Sequence, residues 1–273
     1  MKSNSVNKYG LPSTRFALFL DVVKQKWRTL ILIGILFTLF SLPSLATLFF
    51  KDFYLASNEL TGTTDTAPYG LSIIYAVFCV SLLILSIGAS GISKVLLHMS
   101  YEEGYDFFSD FKLGVKQNIK TNILATLIYC VILYLTLFIN ISFNDQFLKY
   151  IPLGICQGIA FPILLVIFIT NSIYDWKFSD SIRNSGIIYI RYFIFILLFS
   201  IGLLSVLLFE LIPNIILRYV IMVLFLIIIE PFILIGFKIY MNYCLDEGIN
   251  KDNYPSIYRK GLFKSSKEAN KKN

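Results

Sequence analysis

Glu230 stands near the middle of an apolar run that spans 215–240, and Pro231 follows it at once. A carboxylate at bilayer depth costs roughly 2.5–3.5 kcal/mol on insertion scales. It must therefore be neutral or face a polar partner. Pro231 has no N–H, so the carbonyl of Ile227 loses its helical partner. A broken helix beside an acid is one way membrane proteins build an ion or solute site. Two readings are open: a protonatable group in such a site, or a structural hydrogen bond that pins the kink to another helix. Ser41, Ser86, Tyr134 and Ser200 are expected at similar depth. With Glu230 and Pro231 they would line a small polar cavity, although serines inside spans also let helices approach closely.

The other chemistry-bearing groups read as structural. Glu210 and Arg218 flank the turn Ile212-Pro213-Asn214. Each has the wrong sign for its own helix end, so pairing across the hairpin is expected to relieve both. His98 sits at the inner end of a helix, where its charged form would suit the dipole. Glu102, Glu103, Asp106 and Asp110 are interleaved with Phe107, Phe108 and Lys112, which suits a solvated interfacial face more than a metal site. Cys79, Cys130, Cys156 and Cys244 have neither metal nor redox spacing and read as small packing residues. No catalytic, nucleotide or metal motif is present, so the expectation is a protein that is not an enzyme and carries no cofactor.

The elements that must position these residues follow from composition. The 273 residues are 56% hydrophobic and only 15% charged, against about 25% charged in ordinary soluble domains. Six apolar runs, at 29–50, 69–97, 121–142, 151–174, 192–212 and 215–240, are long enough to cross a bilayer. The fold class is an all-α, polytopic membrane protein of six transmembrane helices, with the lipid bilayer as its surroundings. The first run is too long for a signal-peptide core and no cleavage pattern follows it, so it is expected to be retained.

All but three of the 24 lysines and arginines fall in alternate connections and the two ends. The exceptions are Lys51, Lys149 and Arg218. That distribution places both termini on the cytoplasmic side of a multi-pass protein in the cell membrane. It also accounts for the net charge of +7 without nucleic acid. The organisation is an amphipathic segment at 1–28, a six-helix domain at 29–242 and a basic tail at 243–273, whose last ten or so residues are expected to be mobile. The connection at 51–68 is polar and rich in turn residues, and reads as the largest outer loop.

Three segments on the basic side share a pattern: Phe19-Leu20-Asp21, Phe108-Ser109-Asp110 and Phe178-Ser179-Asp180, each followed by basic residues and a span. Ser109 and Ser179 could cap helix starts. Aromatic residues on one face and lysines on the other suit short helices at the interface. Three units of lead-in helix, outward span and inward span would result. Small residues at Ser86, Gly88, Ala89, Ser90 and Gly91, and the step Gly154 to Gly158, are suited to close packing.

The stretch 88–118 combines a small-residue helix end, an acidic-Gly step and Asp106-Phe107-Phe108-Ser109-Asp110-Phe111-Lys112. With Leu39-Phe40-Ser41-Leu42-Pro43 in the first span, it resembles the YesL-like family of bacterial membrane proteins. The resemblance covers the chain to about Ser200. It implies an accessory role near carbohydrate uptake, with a transport complex as membrane-protein partner, and carries no functional residues over. The alternative is a small transporter or channel with Glu230 as its protonatable site.

Overall fold

The computed structural model describes residues 11–61, 67–104, 106–143 and 148–262. Ten α-helices follow in chain order among them: α1 Arg15–Thr61, α2 Ala67–Ser100, α3 Phe107–Ser142, α4 Tyr150–Ile155, α5 Phe161–Asn171, α6 Phe178–Arg191, α7 Phe193–Leu204, α8 Ile215–Ile228, α9 Glu230–Leu245 and α10 Lys251–Asn253. No strand occurs among the described residues. Six helical stretches are long and apolar enough to cross a membrane: Arg15–Asn58, Pro68–Ser100, Phe107–Ser142, Tyr150–Asn171, Phe193–Leu211 and Ile215–Asn253. The chain is thus an all-helical, six-span membrane protein. Arg15 pairs with Asp246 at 2.6 Å, so the two terminal regions share one end of the bundle, the terminal end. Lys51, Asp52, Glu210 and Arg218 mark the far end.

The lead-in segments are not separate interfacial helices in the first two units. The first is continuous with its span through a kink at Lys26 (φ −116°, ψ 21°), and the second runs straight into α3. Only the third, α6, is set off, by Tyr192 at φ −119° and ψ 29°. Ser109 and Ser179 cap nothing, because the helices begin two residues and one residue earlier, at Phe107 and Phe178. α1 also runs well into the expected outer loop, to Thr61, since Lys51 and Asp52 are tied to α8 and the turn after α7. The rest of that loop, 62–66, lies outside the described residues.

Pro162 and Pro231 each leave a helical carbonyl unpaired, and each of these two carbonyls finds a neighbour. Pro162 deprives Gly158 of its partner, the chain widens into a π-turn at Cys156–Ala160, and the Tyr189 hydroxyl donates to the Gly158 carbonyl. A Cβ added at Gly154 or Gly158 would meet nothing within 4 Å, so this small step is not used for close helix packing. Pro231 separates α8 from α9 at Ile229. There α1 presses its backbone against the freed Ile227 carbonyl at Gly34, where an added Cβ would lie 2.1 Å from the oxygen.

The small face of α2 packs as its residues suggest. Gly88 admits the Phe40 ring of α1, and Gly91 admits the Phe111 ring of α3. The four cysteines are buried and unlinked. Cys79 and Cys130 each donate to the other's carbonyl, at 3.5 and 3.2 Å, across the α2–α3 contact.

The tail is not a solvated end as far as Leu262. Asp246 accepts from Arg15, from Asn250 at 2.9 Å and from the Arg259 amide at 3.2 Å. Leu262 is buried with Leu18, Val22, Met99 and Phe107. Gly261 adopts φ +81° against the end of α2, where a Cβ would meet the Ser100 carbonyl at 2.7 Å. The final ten residues, expected to be mobile, lie outside the described ones. Tyr174 donates to Asn250, and burial pushes its phenol, like that of Tyr101, above the ordinary range.

Candidate functional site

A cavity of about 500 Å³ lies between the six spans, within the size range of small-molecule sites. Its wall is mainly leucine, isoleucine and phenylalanine. The polar groups in it are mostly paired already: Ser41 bonds the Phe37 carbonyl at 2.8 Å, Ser86 that of Leu83 at 2.7 Å, and Thr126 that of Asn122 at 2.8 Å. Tyr129 crosses to Gln157 at 3.2 Å. Such groups leave few donors or acceptors for a ligand.

Glu230 is different. It lines the cavity, is 3% exposed, and its Oε2 has no hydrogen-bond partner among the described residues. The structural hydrogen bond that would have pinned the kink is therefore not made by this carboxyl. The kink is held instead by the contact of Gly34 with Ile227 and Pro231. An acid held this deep without a partner is expensive unless it is protonated or meets a ligand.

Of the residues expected to line one polar cavity, the structure brings together Glu230, Ser41 and Ser86, with Pro231 packed behind them on α1. Tyr134 and Ser200 are not in the wall. On α3 the wall is made by Thr126, Tyr129, Leu133, Leu137 and Asn140, a helical spacing in which Tyr134 is turned by about 100° from Leu133. Its hydroxyl meets Ser72 on α2 at 3.2 Å. Ser200 lies one turn before Leu203 and Leu204, where α7 packs on α9 through Phe199 and Phe237. It bonds the Ile196 carbonyl of its own helix at 2.8 Å.

Glu210 and Arg218 do not relieve each other directly. Glu210 takes Lys51 at 3.1 Å, Arg218 takes Asp52, and Lys51 also reaches Asp52 at 3.6 Å. Arg218 further donates to the Ile212 carbonyl at 2.9 and 2.7 Å, on the helix end its charge suits. α1 supplies both missing partners because it extends past the expected span. Lys51 and Glu210 also line the far end of the cavity. Three of the four residues of the acidic cluster near the terminal end face basic groups, and Asp106 is exposed. Glu102 meets Lys26 at 3.6 Å, Glu103 meets Lys260 at 2.6 Å, and Asp110 meets His98 at 2.9 Å.

Sequence reasoning missed the polar core of the terminal half. Lys238 was counted with the basic end, yet it is 1% exposed and lines the cavity. Asn122 donates to Ser90 at 2.8 Å and accepts from Asn171 at 2.8 Å, while Ser181 donates to Asn171 at 2.7 Å. This chain ties α2, α3, α5 and α6 together, a fully paired network of the kind that fixes one packing. The available signal was Asn122, Asn171 and Lys238, three polar residues inside apolar runs. These features define a polytopic, all-helical membrane protein with an acid-bearing internal cavity. No known protein family matches the chain, and neither does any curated protein or solved structure.

Proposed function

We propose that the protein is a small transporter of the cell membrane, with Glu230 as the group that takes up and releases a proton beside a largely apolar solute. The single observation that supports this reading is the unpartnered Glu230 oxygen in the wall of a cavity bounded by all six spans. A neutral carboxyl tolerates an apolar wall and an ionised one does not, so proton exchange and solute exchange are coupled there. The break at Pro231 gives α9 a joint next to the acid. The charge distribution supports a cytoplasmic terminal end.

Proteoliposomes containing a pH-sensitive dye test this under an imposed potassium-diffusion potential. Wild-type protein is expected to conduct protons above protein-free vesicles, and Glu230→Gln to lower that flux at least tenfold. Equal flux in both would remove Glu230 from the mechanism. The accessory role beside carbohydrate uptake, with a transport complex as partner, is the second reading. It is supported by the family resemblance and by the aromatic residues Phe16, Trp27 and Phe108, which stand exposed near the terminal end. Absence of flux together with stoichiometric co-purification of an uptake complex would favour it.

A further inference from the structure

The cavity wall carries a second buried charge. Lys238 lies on α9, about 12 Å along the helix from Glu230 toward the terminal end. Its ammonium donates to Ser172 Oγ at 2.7 Å and to the Ile169 carbonyl at 3.4 Å. Lys94 donates to the Ser172 carbonyl at 3.4 Å, so two lysines converge on one residue. Neither has a carboxylate within ion-pair distance among the described residues. An ammonium has three donors, and two of those on Lys238 are engaged. A fully buried cation without a counter-charge is unfavourable, and a ligand oxyanion would supply what the protein does not.

We infer that the solute is an anionic amphiphile. Resting on the transporter reading above, this assigns its carboxylate or phosphate to Lys238 and its apolar chain to the wall between Lys238 and Glu230.

Photolabelling of purified protein with three diazirine-bearing alkyl probes, a carboxylate, a phosphate monoester and an alcohol, tests the inference. Adducts are located by mass spectrometry. The carboxylate or the phosphate is expected to mark residues near Lys238, such as Ile169, Leu234 and Phe237, at least tenfold more than the alcohol does. Lys238→Met is expected to abolish that excess while alcohol labelling of the wall persists. Lys238→Arg is expected to restore it, and Ser172→Ala to weaken it, which separates charge from folding. Preference for the carboxylate points to a fatty acid, and preference for the phosphate to a lipid-derived monoester. Equal labelling by all three probes, unchanged in Lys238→Met, would overturn the anion site and leave the cavity reading standing. Adducts confined to lipid-facing residues such as Leu39 and Ile73 would overturn both.

Discussion

Gly34→Ala is expected to destabilise the protein by about 3 kcal/mol or more and to abolish any activity that depends on Glu230. Overpacking usually costs about 1–3 kcal/mol, because neighbouring side chains shift to relieve it. Here the neighbours cannot readily shift. The new methyl would lie 2.1 Å from the Ile227 carbonyl oxygen and 2.8 Å from the Pro231 ring, so α1 would have to part from the α8–α9 joint. That joint sets the direction of the Glu230 side chain. Gly202→Ala is the control. The nearest atom to its new methyl is Ile233 Cγ2 at 3.6 Å, an ordinary van der Waals contact. Thermal unfolding in mild detergent should show a much larger loss for Gly34→Ala than for Gly202→Ala. Equal stability of the Gly34 variant and wild type would contradict the contact.

The second large effect is expected at Asp246. Its carboxylate gathers Arg15, Asn250 and the Arg259 amide, and the Arg15–Asp246 pair is largely buried, with side-chain exposures of 9% and 7%. Removing one partner of a buried pair typically costs about 3–5 kcal/mol, because the other charge stays behind without compensation. Asp246→Ala is therefore expected to release residues 254–262 from the terminal end. Limited trypsin digestion should then cut at Arg259 and Lys260, which resist in wild type. The double variant Arg15→Met with Asp246→Leu is expected to recover part of the lost stability, since no charge is left stranded. A single variant as protease-resistant as wild type would show that the tail is held by other contacts.

The sequence made legible whatever depends on local pattern. Apolar run length gave the six spans, Pro231 gave the break in the last one, and the small residues of α2 gave its packing face. Glu230 stood out because a charge inside an apolar run is unusual wherever its partners lie. What stayed hidden depends on residues far apart in the chain. Arg15 and Asp246 are 231 positions apart, and Arg218 and Asp52 are 166 apart. The wrong partner assigned to Arg218 came from assuming that α1 ended at its apolar limit. Tyr134 was misplaced because depth along a helix says nothing about the direction around it. Lys238 was misread because a lysine near the end of a span usually reaches for water. Only the packed bundle shows that this one is enclosed.

The most direct test of the central claim, that Glu230 faces an internal cavity and not lipid, is labelling by dicyclohexylcarbodiimide. This reagent is apolar and reacts with protonated carboxyls, and the Glu230 adduct can be quantified by mass spectrometry. Ser86 lines the same cavity and is 2% exposed, so Ser86→Phe would narrow it. We expect Glu230 to be modified in the wild type and protected at least tenfold in a Ser86→Phe protein that retains its thermal unfolding transition. Undiminished modification in that variant would mean that the reagent reaches the carboxyl from the bilayer, which would contradict the internal site.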